Sequence, residues 1–222
     1  MRECVVQDLG RMSYGEAFGI QSRLASERKQ GAGVDRLLFV EHPHVVTIGR
    51  NGHEENLLAP EETLRRAGIE LYESDRGGDV TYHGPGQIVA WPVMDLREWK
   101  RDVGAFVRGI EQVLIDTMAD FGIAARRIAK LTGVWTGDAK IAAIGVHLSR
   151  WVSTHGWALN VSTDLRYFQY IVPCGLAKPV TSMEALGVHA DAAAVKDALA
   201  RHFGRVFEFE MQADPALVGD PY

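Results

Sequence analysis

The sequence predicts an α+β fold, in which helices pack on a mixed, largely antiparallel sheet. Apolar residues make up 46% of its 222 residues and charged residues 24%, and both values are typical of a globular protein with a buried core. Helical and strand patterns follow one another irregularly, without the regular βαβ alternation that indicates a parallel sheet. Because no linker, repeat or low-complexity tract separates them, we predict a single domain over residues 1–222.

The first part of the chain predicts two helices and three strands. The first helix is amphipathic, and the second begins at a proline, where a missing N–H is harmless, and ends at a glycine. The strands are short β-rich runs, and a His-Pro-His turn separates the first two. In chain order these elements span residues 13–29, 36–41, 45–48, 60–68 and 69–72.

The second part contains the strongest helical periodicity of the chain, at residues 102–121. Three β-prone stretches follow and predict an antiparallel meander, with polar turns at residues 137–138 and 153–154. Thr181 and Glu184 resemble a capping box, and a last helix and a short strand come after them. The predicted meander, helix and strand span residues 133–136, 140–148, 156–161, 192–203 and 206–209.

Composition and charge exclude several classes of protein. The chain carries 24 basic and 29 acidic residues, and a net charge of -5 argues against a nucleic-acid-binding protein. No apolar run approaches the roughly 18 residues that a membrane-spanning helix needs. Two cysteines are too few for a disulfide framework and no secretory pattern is visible, so we expect a cytoplasmic protein.

One stretch departs from the acidic average of the chain. Residues 126–150 contain five basic side chains and one acidic side chain, a local net charge of +4, which leaves -9 for the remainder. This basic window predicts a docking face for an acidic partner, and the alternative is an ordinary solvated surface.

A glycine-rich segment, RGGDVTYHGPGQ at residues 76–87, is the first candidate for a functional site. Its glycines let the backbone approach a ligand, whereas Arg76, Thr81, His83 and Gln87 supply directed polar groups. The segment is neither a Walker phosphate loop nor a dinucleotide fingerprint, because the following residues and the glycine spacing do not fit. We expect a functional loop rather than a regular buried element, and an ordinary glycine-rich hairpin remains the alternative.

Cys174 is the second candidate, because Pro173 and Gly175 would hold its loop stiff and leave the sulfur approachable. A cysteine nucleophile needs a basic or cationic neighbour, which Lys140 or one of the eight histidines could supply. Burial of Lys140 would favour the neutral amine, the form that acts as a base. An inert buried cysteine and an exposed lysine at a strand end are the plainer alternatives. No zinc-binding spacing is present, so we predict no metal site.

In these residues the chain resembles the lipoyl(octanoyl) transferase family. The family signature, Arg-Gly-Gly followed by Thr-aromatic-His and then Gly-Gln, corresponds to residues 76–87. Further similar segments follow the order of the family, at residues 41–50, 133–135, 140–146, 155–160 and 173–175. Three departures bear on pocket shape or acyl-chain preference: Trp91 for the usual tyrosine, His147 for a common basic residue and Trp157 for a frequent phenylalanine.

The resemblance implies the biotin and lipoate protein ligase fold and the transfer of an octanoyl or lipoyl group in lipoate biosynthesis. The group would pass from acyl carrier protein to a lysine of lipoyl domains, through a thioester on Cys174, with Lys140 as general acid and base and without a cofactor. Backbone N–H groups, or Thr154 and His155, would lie near the developing oxyanion. The implied substrate-binding residues are Arg76, Gly77, Gly78, Thr81, Tyr82, His83, Gly84, Gln87, Ala143, Ile144, Gly145, His155, Gly156 and Ala158.

The implied partners are acyl carrier protein as donor, and lipoyl domains of 2-oxoacid dehydrogenases and the glycine cleavage H protein as acceptors. Arg76 and the basic window would suit these acidic carriers. We expect no nucleic-acid or membrane partner, and we take a monomer as the default. Two alternatives stay open: an ATP-dependent lipoate-protein ligase, which would not need Cys174, and a non-catalytic acyl- or carrier-binding module.

Overall fold

The structure is a computed structural model and describes residues 2–172 and 178–214. Within these residues the chain forms eleven strands and four α-helices. Their order is β1 (Arg2–Arg11), α1 (Tyr14–Lys29), β2 (Asp35–Glu41), β3 (Val45–Ile48), α2 (Glu61–Arg66), β4 (Glu70–Glu73), β5 (Val80–His83), β6 (Gln87–Val93), α3 (Val103–Asp120), β7 (Arg126–Ile128), β8 (Leu131–Thr136), β9 (Ala139–Ser149), β10 (Val152–Asn160), α4 (Ala192–Phe207) and β11 (Phe209–Ala213). Short 3-10 helices lie at Glu54–Asn56, Leu96–Glu98, Leu165–Tyr170 and Glu184–Leu186.

Eight of the strands form one large sheet, in the order β11-β1-β2-β6-β10-β9-β8-β7. Strand β1 pairs in parallel with β11 and with β2, and the other neighbours pair antiparallel. The sheet is therefore mixed and largely antiparallel, as predicted, and its strands β8, β9 and β10 form the predicted meander. The parallel pairs at its edge join residues far apart in the sequence, so no local pattern indicated them.

The remaining strands form a small sheet, in the order β4-β3-β5. Strand β3 is parallel to β4 and antiparallel to β5. The predicted turn after β2 therefore carries the chain from the large sheet to the small one. The predicted glycine-rich loop is partly regular structure, because β5 is a buried strand at the centre of residues 76–87. The expectation that this segment avoids regular buried structure is wrong for these four residues.

Helices cover the two faces of the large sheet. On one face α3 and α4 bury Phe106, Ile110 and Leu114 against alternate residues of β6 and β10, such as Ile88 and Leu159. On the other face α1 packs over the intervening residues of the same strands. The side chain and backbone of Ser13 form a capping box with Glu16 at the start of α1. This second face is the one that also meets the small sheet.

Three predicted boundaries are wrong. The β9–β10 turn lies at Arg150 and Trp151, with φ of 52° and 66°, rather than at residues 153–154. Such a turn normally carries glycine or asparagine, and neither residue is present to indicate a turn at these positions. Helix α4 continues to Phe207, and strand β11 begins only after Glu208 turns the chain with a φ of 61°. At the predicted capping box, Ser182 Oγ caps a 3-10 helix by accepting a hydrogen bond from Ala185 N–H at 3.1 Å.

Candidate active site

A cavity lies between the two sheets and is lined by residues of both. Most of the predicted substrate-binding residues line it, on β5, on the loop before β5, on β9 and on β10. These are Arg76, Gly77, Gly78, Thr81, His83, Ala143, Ile144, Gly145, His155, Gly156 and Ala158. Four further lining residues were not predicted as ligand contacts: Tyr14, Val89, Trp91 and Trp157. The structure thus brings together residues that are far apart in the sequence. The most distant pair, Tyr14 and Ala158, is separated by 144 positions.

A second, smaller cavity is lined by the predicted general base Lys140. Gln87 and Asn160 also line it, together with Phe168 and Val180. Thr81, Ala143 and Ala158 line both cavities, so the two spaces adjoin along the strands. Lys140 and the glycine-rich segment therefore belong to one site.

Lys140 is the second residue of β9 and its exposure is only 7%. Its N–H donates to the carbonyl of Pro179 and its own carbonyl accepts from Thr181 N–H, each at 2.9 Å. Its Nζ lies 4.9 Å from the centroid of the Trp135 ring, which Lys178 Nζ also approaches, at 5.9 Å. The alternative of an exposed lysine at a strand end is therefore wrong, because the segment 178–181 covers it.

Cys174 lies outside the described residues, between Val172 and Lys178. The flanking residues are both attached to the site region: Val172 N–H donates to Asn56 O at 2.8 Å, and the segment after Lys178 pairs with Lys140. The other cysteine, Cys4, is buried in β1, and burial strongly raises the pKa of its thiol. Cys4 is therefore unsuited to act as a nucleophile.

Arg76 fastens the loop before β5 to strand β3. Its Nε donates to Thr47 Oγ1 at 3.0 Å and its Nη2 to Thr47 O at 2.7 Å. Nη2 also donates to Asp79 O at 2.6 Å, and Nη1 to Gly77 O at 3.1 Å. Because the side chain is buried and donates to these acceptors, the expectation that Arg76 helps to dock acidic carriers is wrong.

Glycines let the same loop lie directly on the backbone of β9. Gly77 N–H donates to Val146 O at 3.1 Å, and a Cβ on Gly77 would lie only 2.9 Å from that oxygen. A Cβ on Gly145 would lie 2.6 Å from Gly77 O. Side chains at these positions would force the loop away from the sheet, so the glycines set the height of the cavity.

A hydrogen-bond chain connects the two cavities through buried side chains. Gln87 Nε2 donates to Asn160 Oδ1 at 2.8 Å, and Asn160 Nδ2 donates to Thr181 O at 3.0 Å. Gln87 Oε1 must then accept from His83 Nδ1, at 2.7 Å. Burial, reinforced by nearby His42, lowers the pKa of His83 well below its ordinary value, so the ring is neutral. Its Nε2 therefore carries a lone pair.

His155 has an unusual backbone for a residue inside a strand, with a φ of 56°. Its N–H donates to Gln21 Oε1 at 2.5 Å, its Nε2 lies 2.7 Å from Asp75 Oδ1, and its Nδ1 lies 3.3 Å from Tyr14 Oη. Burial lowers the pKa of His155, although Asp75 opposes the shift. These contacts hold the ring in place despite the local strain.

The predicted oxyanion groups are engaged elsewhere. The N–H of His155 already donates to Gln21, and Thr154 Oγ1 donates to His147 O at 3.3 Å. The contribution of these two groups to an oxyanion site is therefore not supported by the geometry. A donor for that role must come from another part of the site.

Two predicted substrate-binding residues lie away from both cavities among the described residues. Tyr82 points to the opposite face of β5 from Thr81 and His83, as strand alternation requires. Its hydroxyl lies 2.8 Å from His44 Nδ1, and its ring stacks on Tyr167 at 5.3 Å. Gly84 leaves room for the Tyr82 hydroxyl, which a Cβ would overlap. Both residues therefore lie on the side of the small sheet that faces away from the cavities.

The basic window is partly neutralised by neighbouring acids. Arg127 Nε lies 2.9 Å from Glu111 Oε2, and Arg126 Nη2 lies 3.6 Å from Asp138 Oδ1. Lys130 is exposed at the turn that follows β7. The docking role of this window stays a prediction, with Arg126 and Lys130 as its exposed cations.

The described residues contain neither a metal-binding cluster nor a membrane-spanning helix. Across residues 2–172 and 178–214, no group of three or more His, Cys, Asp and Glu side chains is placed to hold a metal ion. In the same residues no helix is both long enough and apolar enough to cross a bilayer.

The chain matches the lipoyl protein ligase A/B catalytic domain family over residues 13–204. It is 65% identical over 217 residues to a protein named octanoyltransferase from Solibacter usitatus, and the match covers 98% of this chain and 99% of that protein. The structure resembles the bi-partite lipoate protein ligase of Thermoplasma acidophilum, with a TM-score of 0.76, 18% identity, and coverage of 96% of this chain and 87% of that one.

A more distant structural relative is biotin protein ligase from Aquifex aeolicus, with a TM-score of 0.52 and 11% identity. That match covers 94% of this chain and 70% of the other. At such identities the two ligase structures indicate the fold alone. They confirm the predicted biotin and lipoate protein ligase fold.

Proposed function

Because the chain belongs to the lipoyl(octanoyl) transferase family, a family of acyltransferases in lipoate biosynthesis, we propose that it forms a thioester on Cys174. It takes the octanoyl group from acyl carrier protein and passes it to a specific lysine of lipoyl domains. The catalytic unit is a single domain over residues 1–222. Its acceptors are the lipoyl domains of 2-oxoacid dehydrogenases and the glycine cleavage H protein.

The observation that carries this proposal is the position of Lys140. Its side chain is buried in the wall of the second cavity, next to the space lined by the glycine-rich segment. Its backbone pairs with residues 179–181, which follow Cys174 closely in the sequence. An amine at this position supports a role for Lys140 beside the thiol. An ATP-dependent ligase would not require such a lysine and cysteine pair.

The proposed first half-reaction exchanges one thioester for another. The Lys140 amine takes the proton from the Cys174 thiol, and the sulfur attacks the carbonyl carbon of the donor thioester. The new C–S bond to Cys174 forms, the C–S bond to the carrier breaks, and the carrier thiolate takes the proton back. The two thioesters have similar energies, so this step is readily reversible.

The second half-reaction makes the transfer favourable. The acceptor lysine amine attacks the thioester carbon, a C–N bond forms and the C–S bond to Cys174 breaks. Lys140 takes the proton that the amine releases and returns it to the departing thiolate. The product amide is more stable than the thioester.

The cavity supplies the acyl site in this proposal. Val89, Ile144 and Ala158 give it apolar walls, and the buried His83 and Arg76 lie at its polar side. The buried Arg76 acts by holding the loop, whereas a neutral His83 presents its Nε2 lone pair. Tyr82 and Gly84 act behind the small sheet and not as contacts to the acyl group.

A transfer assay tests the proposal against the ligase alternative. The enzyme is mixed with octanoyl-acyl carrier protein and a lipoyl domain without ATP, and the mass of the lipoyl domain is measured. We expect a gain of one octanoyl group at a single lysine. Octanoylation that occurs only from free octanoate and ATP would identify a ligase, and no modification under either condition would favour the binding-module alternative.

A further inference from the structure

The two adjoining cavities form one groove along the strands, which we call the acyl groove. In β6, Gln87 lines the end that contains Lys140, while Val89 and Trp91 line the other cavity. These three residues occupy alternate positions and therefore face the same side of the strand. Asn160 and Gly156 are arranged in the same way on the neighbouring strand β10. The acyl groove thus has a Lys140 end and a Trp91 end.

The length of the acyl groove follows from the strand rise. Gln87 and Trp91 are four positions apart, which corresponds to about 13 Å along an extended strand. This distance suits an extended eight-carbon acyl chain together with its thioester group. If the thioester forms near Lys140, as the proposed function requires, the terminal methyl group reaches the Trp91 end.

The Trp91 end is closed by aromatic rings. Trp91 is only 2% exposed and Tyr14 only 1%, so both rings are buried. The Tyr14 ring meets the Trp91 indole edge to face, with centroids 5.4 Å apart. His155 and His42 approach the same indole at 5.7 Å and 5.5 Å. A ring held on three sides cannot turn aside to admit a longer chain.

We infer that Trp91 is the residue that sets the length of the acyl chain, by closing the acyl groove opposite Lys140. This inference rests on the proposed function for the direction in which the chain enters. Val89, Ala143 and Ala158 line the middle of the groove and accept methylene groups of any chain. Only a chain longer than the groove meets the indole. The discrimination therefore acts against longer chains and not against shorter ones.

A competition experiment tests the inference. Equal amounts of hexanoyl-, octanoyl-, decanoyl- and dodecanoyl-acyl carrier protein are mixed with the enzyme, and the acyl adducts are compared by intact-protein mass spectrometry. The variants are Trp91→Leu and the milder Trp91→Phe. Because the ratio of adducts is internal to each sample, it does not depend on the fraction of protein that is folded.

The matched control is Trp99→Leu. Trp99 packs against Phe207 on the α3 and α4 side of the large sheet, with ring centroids 5.0 Å apart, and is not among the residues that line the acyl groove. We expect Trp91→Leu to raise the ratio of decanoyl to octanoyl adduct by roughly 10-fold or more, since one methylene in an apolar pocket is worth that much. Trp91→Phe should shift the ratio less, in the same direction, and Trp99→Leu should leave it unchanged.

Wild-type adduct ratios in both Trp91 variants would overturn the inference. A wild-type enzyme that forms no adduct with any donor would contradict the proposed function instead. The inference is then decided by calorimetric titration with octanoic and decanoic acid, which requires no nucleophile. In that titration Trp91→Leu should bind decanoic acid at least as tightly as octanoic acid, and an unchanged preference for octanoic acid would overturn the inference.

Discussion

The two faces of the large sheet differ in what they bury. The face under α3 and α4 is dominated by apolar side chains, and Phe106, Ile110 and Leu114 are completely buried there. The face under α1 and the small sheet buries several histidines, an arginine and amide side chains beside its apolar residues. Buried polar groups require specific partners and add little stability, and their concentration on one face coincides with the candidate site. The apolar face stabilises the fold, and the polar face holds the site.

Lys140→Ala should produce the largest functional change, because it removes the proposed base from the polar face. We expect both half-reactions to slow by about 10²–10⁴-fold, the usual contribution of a positioned acid or base. The measurement is single-turnover formation and loss of the acyl-enzyme. Lys178→Ala is the matched control, since Lys178 approaches the same Trp135 ring but does not line the second cavity. Equal effects of the two variants would remove Lys140 from its proposed role.

Leu114→Ala should lower stability rather than the catalytic rate, because Leu114 belongs to the apolar face. The cavity left by the missing side chain should lower the free energy of unfolding by about 2–5 kcal/mol. The rate per folded molecule should stay close to that of the wild type. Denaturant unfolding and an active-site titration measure the two effects separately. A large loss of rate in fully folded Leu114→Ala would contradict the division between the faces.

Acid should destabilise the polar face through its buried histidines. Burial lowers the pKa of His42 to about 4, from an ordinary value near 6.5. Between about pH 6.5 and pH 4, His42 is protonated in the unfolded chain but stays neutral in the folded chain. The free energy of unfolding therefore falls as the pH falls through this window. The complete loss corresponds to roughly 3 kcal/mol.

His83 and His155 also have lowered pKa values and should add to this loss with the same sign. Denaturant unfolding between pH 7.5 and pH 4 measures the slope, and His42→Gln should make it shallower. A wild-type stability that does not change across this window would contradict the burial of neutral histidines on this face.

Charge reversal in the basic window should have the smallest effect. Arg126→Glu with Lys130→Glu changes exposed cations, whereas Arg127 is better left intact because it pairs with the buried Glu111. We expect binding of acyl carrier protein to weaken by about 0.2–1 kcal/mol per charge at low salt, and less at high salt. Binding is measured by titration at two salt concentrations. Unchanged affinity at low salt would place the docking surface elsewhere.

Elements with local signals were predictable from the sequence. Helix α3 and the β8–β9–β10 meander follow from periodicity and turn residues, and the structure has α3 close to its predicted bounds, whereas β10 begins at Val152, four residues before its predicted start. Strand β1 was not predicted because it is stabilised by pairing with β2 and β11 rather than by a local sequence pattern. Its partner β11 lies about two hundred residues away in the chain. The turn at Arg150 was missed because residues without a turn preference adopt positive φ there.

The site residues that lie together in one sequence segment were predictable. Those that come together only through tertiary packing were less so. The glycine-rich segment identified Arg76, Thr81 and His83, which the structure places at the cavity. Tyr14 carries no signal for a site residue, because it is the first residue of α1 and meets the cavity only through tertiary packing. The departure at Trp91 gave a signal about pocket shape, but its place at the end of the acyl groove required the structure. The cytoplasmic location and monomeric state stay predictions.

The covalent intermediate is the central claim, and mapping the acylated residue tests it most directly. The enzyme is incubated with octanoyl-acyl carrier protein in the absence of an acceptor, and its intact mass and peptides are measured. We predict one octanoyl group on Cys174, which Cys174→Ala loses and Cys4→Ala retains. An octanoyl group on any other residue, or wild-type transfer by Cys174→Ala, would contradict the account.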